Sequence, residues 1–348
     1  PANDFLPHPQ ACLVTGITPQ QALSEGVPEC EFIASIHQEL ATPGTCGVGY
    51  NSLRFDDEIT RHTLYRNFYD AYSREWQNGN SRWDIIDMVR TTCALRPAGI
   101  EWPIREDGLP SFRLEDLTGA NGISHEGAHD ALSDVHATIA LAKLIKDKQP
   151  RLYDYVLKHR DKQSALSQLD VAGMKPLLHV SSMFGAQRHN IALVAPLAKH
   201  PTNSNEIICF DLGADPQMLF DLEASQLQEL LYTRTEDLPE GTQRLGLKSV
   251  HINRCPILLT PKMVDPATAA RLGISGSECR KHLEALRAYR DTDARGFTAK
   301  VQAIYQGRKF EAHNDPDQML YSGGFFSAQD KRVMDQVRVQ SPQELAAR

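Results

Sequence analysis

Cysteine is scarce and shows no pairing pattern. Cys12, Cys30, Cys46, Cys93, Cys209, Cys255 and Cys279 are odd in number, scattered, and include no Cys-x-x-Cys. That argues against a disulfide framework and favours a reducing cytoplasm. Long apolar runs are missing as well: none approaches the length of a membrane span, and no basic-then-apolar signal opens the chain. The expectation is a soluble, cytoplasmic protein acting as a monomer. Positive charge is also in short supply, with 37 Lys and Arg against 44 Asp and Glu and a formal net charge of -7. A general polyanion binder is thereby excluded, so any nucleic-acid contact must come from a local basic surface. The chain opens on Pro1, within a stretch that reads as the middle of a loop, which raises the expectation of a fragment. At 348 residues and 41% hydrophobic, it is long enough for two domains or slightly more.

What is present centres on His125 to Lys146, HEGAHDALSDVHATIALAKLIK. Leu132, Val135, Ile139, Ala142 and Leu144/Ile145 recur at three- and four-residue spacing, which predicts an amphipathic helix burying that stripe. Asp130 and Asp134 fall in its first turns, where carboxylates suit the helix dipole but repel each other unless a cation or donor lies between them. Two chemistries compete here. His125, Glu126 and His129 spell His-Glu-x-x-His, the zinc-peptidase pattern, although Asn121-Gly122 and Gly127 read as turn or helix entry rather than mid-helix. Alternatively, His129 is a general base looking in from the helix entrance and Asp134 a metal-binding carboxylate. Five residues rotate a helix by about 140°, so the two cannot share a face.

Upstream, Thr18 caps a helix starting at Pro19, with Gln21 three residues after the cap. A second helix carries Phe32, Ile33, Ile36 and Leu40 and ends at Pro43-Gly44. Thr45 to Tyr50 reads as a buried-type strand, and Asp56 stands at the start of the next helix, beyond the strand's carboxyl end, where open α/β sheets bind ligands. Between 61 and 84, aromatics including Tyr65, Phe68, Tyr72, Trp76 and Trp83 interleave with Arg61, Arg66, Arg74 and Arg82. This is the pattern of stacking platforms for single-stranded bases, and equally of helix cores with solvated arginines. Trp83 to Asp87 is expected to open another helix, and Ser111 to cap the one after it.

Downstream, composition shifts at Gln149-Pro150, and residues 151 to 200 hold seven Lys/Arg against three Asp. Apolar runs at Pro176 to Val180, Ile191 to Pro196, Ile207 to Leu212 and Leu247 to Ile252 predict strands; helices are expected near Ser225 to Tyr232 and through 279 to 306.

In chain order, GIT-P, Asn-x3-Phe-Asp, PSFRLEDL and His-x4-Asp before an Ala-rich helix resemble the DEDDh family of 3′-to-5′ exonucleases, and within it the bacterial exonuclease I branch. The likeness continues through MKPLLHVSSMFGA, HINRCPIL and GGFFSAQD. It implies an α/β, RNase H-like exonuclease domain over 1–148, an SH3-like β-barrel domain over 150–304, and the start of a C-terminal helical region over 305–348. The implied activity is single-strand-specific 3′-to-5′ hydrolysis of DNA in repair and recombination, releasing 5′-mononucleotides with two Mg²⁺ ions for which Mn²⁺ can substitute. Four acidic residues hold the metals in that family. Asp56 corresponds to the third, Asp134 to the fourth, and His129 to the general base. Phe112, Arg113, Tyr72, Trp76 and Arg90 match the DNA-contacting region. Arg96, Lys175 and Arg287 match basic positions that receive the acidic C-terminal tail of single-stranded-DNA-binding protein, while Thr260 and Asp265 depart from that pocket.

The family's first motif, Asp-x-Glu, has no counterpart before Asp56; Asp56-x-Glu58 belongs to the later motif, and Asp221-Leu222-Glu223 follows both other motifs. The expectation is therefore a fragment lacking that motif and most of the helical region, binding DNA but inactive by itself. A single-stranded-DNA-binding module without activity and a His-Glu-x-x-His zinc peptidase are the rival readings.

Overall fold

The computed structural model describes residues 6–124, 131–239, 241, 243–307 and 314–347. Two compact units emerge: residues 1–84, 125–138 and 309–348 form the first, and 85–124 and 139–308 the second.

In the first unit, strand β1 (Cys46–Gly49) pairs in parallel with β2 (Ser81–Asp84), Cys46 opposite Ser81 and Gly49 opposite Asp84. Ser81 to Asp84 is thus a strand, and the helix expected from Trp83 begins only at Ile86 (Ile86–Leu95). The turn after β1 is fixed from the neighbouring strand. Asp84 accepts the backbone amides of Asn51 (2.8 Å) and Leu53 (3.2 Å), and Asn51 adopts φ 58°. Gly49 is required because a Cβ there would lie 2.6 Å from the Ser52 Cβ. This turn delivers the chain to the Asp56–Arg66 helix. Upstream, Thr18 caps the Pro19–Glu25 helix through the Gln21 amide as expected. In the Glu29–Leu40 helix Ile33 is buried but Phe32 is exposed, so only part of the expected stripe turns inward.

The arginines that alternate with aromatics are not solvated. Arg61, Arg74 and Arg82 are all buried and paired, and Trp83 is core. Arg74 and Arg82 bond Asp57 at 2.6 and 2.9 Å, while Arg61 grips both oxygens of Glu75 at 2.7 and 2.9 Å. Buried guanidinium groups need such partners, because stripping their water costs several kcal/mol otherwise.

The second unit is built on a five-stranded antiparallel sheet, ordered β6-β5-β4-β3-β7, from β3 (Leu177–Val180), β4 (Ile191–Lys199), β5 (Glu206–Asp211), β6 (Leu247–His251) and β7 (Ile257–Leu259). Four of these coincide with the expected apolar runs. The central strands β4 and β5 read as near-continuous apolar segments because both faces are covered. Ile207 and Cys209 enter one core with Ala192, Val194 and Leu258, whereas Ile208 and Phe210 enter another with Leu283, Leu286, Phe297 and Val301. The β4–β5 register shifts between Pro196 and Ala198, a bulge placed where proline has no amide to contribute. The second core is closed by the Ala224–Tyr232, Gly276–Thr292 and Ala294–Ile304 helices, within the expected helical stretches.

The Ala131–Lys148 helix exists as expected, but its buried stripe is Ala137, Leu141 and Ile145. Leu132, Val135 and Ile139 are instead 63%, 52% and 45% exposed. Periodicity gave the helix correctly and its inward face only at Ile145, because two apolar rows run along it and tertiary packing selects between them. Among the described residues, no helix is long and apolar enough to cross a membrane.

Candidate active site

Asp56 opens its helix as the first residue after Phe55, which provides no capping side chain. Asp134 lies in the first turn of the Ala131–Lys148 helix. Though 78 positions apart in sequence, the two meet electrostatically. The Asp56 carboxyl is held above the ordinary carboxylate range, first by desolvation and then by the charges of Asp57 and Asp134, against the lowering effect of its own backbone amide. Asp56 is exposed as a residue, so this desolvation is local to its carboxyl. A carboxyl raised by desolvation, and further by neighbouring carboxylates, is one that a cation would relax. The donors are all oxygens, which suits a hard divalent cation such as Mg²⁺. Among the described residues no group of three or more His, Cys, Asp or Glu converges.

The other acidic residues of this helix start have different partners. Asp57 is buried against Arg74 and Arg82. Glu58 is occupied on both oxygens, by Arg61 Nη1 at 2.8 Å and by the Tyr321 hydroxyl at 2.5 Å. Sequence reading missed Asp84, whose carboxylate sets the turn before Asp56; its position at a strand's carboxyl end was the available signal. His129, Glu126 and His125 lie outside the described residues, and with them the His-Glu-x-x-His pattern.

Of the matched DNA-contacting positions in this unit, Trp76 is 67% exposed and able to present its face. Tyr72 is half-buried under the Arg61 guanidinium, 5.4 Å from the ring centre, and burial pushes its phenol pKa up. In the second unit, the Arg90 guanidinium sits 5.8 Å over the Phe112 ring and is tied to Asp87 at 2.7 Å. Arg113 is exposed at the cap position of the Leu114–Ala120 helix. Ser111, expected to cap that helix, instead donates to Asp116 at 2.5 Å.

Arg96 lines a cavity of about 530 Å³ together with Arg151, Leu152, Tyr155 and Met263. Its guanidinium donates to the carbonyls of Leu95 and Met263. Asp265, near enough for the Arg96 charge to act on it, is held below the ordinary carboxylate range mainly by the Thr268 amide it caps. Arg287 donates to the Gly173 and Met174 carbonyls, one residue from the exposed Lys175. The structure therefore brings Lys175 and Arg287 together, and gives Arg96 a cavity of its own.

Three family models match the chain: Exonuclease over 1–142, Exonuclease I SH3-like domain over 160–307, and Exonuclease I C-terminal domain over 314–348. The matches take in all three kinds of region that the resemblance implies. Exodeoxyribonuclease I of Escherichia coli is 49% identical over all of this chain and 72% of its own length; that of Haemophilus influenzae is 49% identical over 95% and 69%. A crystal structure of E. coli exonuclease I in complex with a dA16 oligonucleotide superimposes with a TM-score of 0.93 at 48% identity, covering 100% of this chain and 73% of that one. A zinc-bound E. coli exonuclease I–ssDNA complex gives a TM-score of 0.93, with 48% identity and the same coverage. An SSB/exonuclease I structure with an inhibitor gives 0.89 at 47% identity, covering 100% and 72%. An RNase H-like exonuclease domain is thus followed by an SH3-like domain, and the paired carboxylates stand on the nuclease side. With that chemistry and nearly half its residues shared along the full chain, this protein belongs to the exodeoxyribonuclease I family of hydrolytic, metal-dependent exonucleases.

Proposed function

We propose that the chain acts on single-stranded DNA from the 3′ end, releasing 5′-mononucleotides, in the cytoplasm and as a monomer. The observation that carries this is the meeting of Asp56 and Asp134, two carboxylates from different helices whose charges oppose each other. Bound there, Mg²⁺ would neutralise that repulsion, polarise the scissile phosphate and lower the pKa of a water. Asp56 and Asp134 would hold the cation. His129 takes the proton of the attacking water, a task for a group that titrates near neutrality. Trp76, Tyr72, Phe112, Arg113 and Arg90 hold the strand, the rings by stacking and the arginines by phosphate or ring contact. The domain limits consistent with this reading are 1–148 for the nuclease, 150–304 for the SH3-like domain, and 305–348 for the start of the C-terminal helical region.

The partner is the acidic tail of single-stranded-DNA-binding protein, received by Arg96, Lys175 and Arg287. Support comes from the cavity at Arg96, where two arginines border apolar Leu152 and Met263. Asp265 beside Arg96 offsets part of its charge and weakens the attraction. Thr260 caps the turn at Lys262.

A second reading is a single-stranded-DNA-binding module without turnover, in which the exposed Trp76 and Arg113 hold a strand. The test is incubation of the chain, in excess and with Mg²⁺ or Mn²⁺, with a 5′-labelled single strand carrying a free or a blocked 3′ terminus. Shortening only from the free 3′ end supports exonuclease action. Salt-sensitive binding without any shortening supports the module, and internal cutting or release from the 5′ end overturns both.

A further inference from the structure

The helix that begins at Asp56 has a weak start. Phe55, at the cap position, has φ -129° and ψ -74° and offers no side chain to the exposed amides of the first turn. Such an end frays unless tertiary contacts hold it. The C-terminal segment makes those contacts. The Tyr321 hydroxyl donates to Glu58 Oε2 at 2.5 Å and lies 3.4 Å from Arg61 Nη1, and its ring meets His62 edge-on at 5.6 Å. One turn further, Phe326 stacks on Tyr65 at 5.7 Å. Beyond the helix, Lys331 pairs with Asp70 at 3.6 Å, and Arg338 donates to the Phe68 carbonyl and covers the Tyr69 ring at 4.4 Å. The Tyr321 hydrogen bond to Glu58 reaches the turn that carries Asp56.

We propose that Tyr321 is a positioning residue for the cation site: its hydroxyl, acting with Arg61, clamps Glu58 and thereby fixes the first helical turn and the direction of Asp56. The inference rests on the reading of Asp56 and Asp134 as cation ligands. The clamp has a second consequence. With one oxygen on Arg61 and the other on Tyr321, Glu58 is kept from swinging toward Asp56 and adding a third, uncompensated charge to the pair. Phe326 serves as the comparison, since it anchors the same segment to the same helix without touching Glu58.

The test uses the full chain and titrates Mn²⁺, read as loss of the free-ion electron paramagnetic resonance signal well below the unfolding temperature. Tyr321→Phe keeps the ring and removes the hydroxyl; Mn²⁺ binding is expected to weaken about 10-fold, in the lower range for outer hydrogen-bond partners of a metal site. Single-strand affinity in EDTA should not move. Phe326→Leu should lower the unfolding temperature while leaving Mn²⁺ affinity within about twofold. Glu58→Gln should weaken Mn²⁺ binding too, and adding Tyr321→Phe to it should cost nothing further, because both act through one contact. Additive losses in the double variant, or unchanged Mn²⁺ binding in Tyr321→Phe, would overturn the inference. Absence of Mn²⁺ binding in the unsubstituted chain would instead remove the cation-site reading beneath it.

Discussion

Arg74 Nη2 lies 2.6 Å from Asp57 Oδ1, in a pair whose side chains are 5% and 8% exposed, one residue along from the solvent-facing Asp56. Adjacent aspartates thus divide two tasks. Asp57 neutralises buried arginines, and Asp56 is the one we propose for a cation. A helix advances by about 100° per residue, so neighbours necessarily look in different directions.

Replacing Asp57 by Asn leaves Arg74 and Arg82 buried with one formal counter-charge fewer. Loss of about 3–5 kcal/mol of stability is expected, the usual cost of breaking a buried ion pair on one side. Asp56→Asn, at an exposed residue under like-charge repulsion, should change stability by no more than about 0.5 kcal/mol. Urea unfolding of both variants checks this, and equal destabilisation would show that the two residues do not divide the work.

For strand binding, Trp76→Ala should weaken affinity for an oligothymidylate by about 1–3 kcal/mol, the range for a base-stacking aromatic. Tyr72→Phe should have little effect, since the ring is retained under Arg61 and only the hydroxyl is removed. Fluorescence anisotropy at two salt concentrations is the measurement. A loss for Trp76→Ala that vanishes at higher salt would mark an electrostatic contact rather than stacking.

His179 is a built-in acid sensor of stability in the second unit. It is 5% exposed, its Nδ1 lies 3.0 Å from the Ile257 carbonyl, and its pKa is lowered to about 3, chiefly by desolvation and then by the Lys248 charge. A lowered histidine pKa means that the unfolded chain binds the proton more readily. The stabilising effect of the neutral ring is full above the unfolded value of 6.5 and is lost as pH falls toward about 3. Stability should drop by up to about 1.4 kcal/mol per pH unit across that window from this residue alone. His179→Gln should flatten the slope between pH 6 and 4 in urea titrations; an unchanged slope would assign the acid sensitivity elsewhere.

Arg96→Ala and Arg287→Ala should each weaken binding of an acidic tail peptide about 10-fold or more at low salt. Asp265→Asn should strengthen it, by removing the carboxylate that competes for Arg96. Calorimetric titration at two ionic strengths separates these effects. Tighter binding in Arg96→Ala would show that the cavity takes something other than an anionic tail.

The sequence alone determined the local elements and the family. Thr18 before Pro19 starts a helix through its own hydroxyl, and the short runs that form β3 to β6 each carry the Leu, Ile or Val that suit a strand. Asp56 falls at a helix start by the order of turn and helix signals, and the motif order from GIT-P to His-x4-Asp carried the nuclease reading. Tertiary structure decided which side each element turned inward. Leu132, Val135 and Ile139 have the same spacing as a core stripe, yet beside the expected Ile145 it is Ala137 and Leu141 that are covered. Arg61, Arg74 and Arg82 read as solvated until Asp57 and Glu75 are seen beside them. The same holds for Asp84 under the turn before Asp56, for Asp134 acting on Asp56, and for Tyr321 reaching Glu58 from 263 residues away. Helix and strand signals act over a few residues, whereas burial and charge pairing depend on groups that only the folded chain brings within a few ångströms.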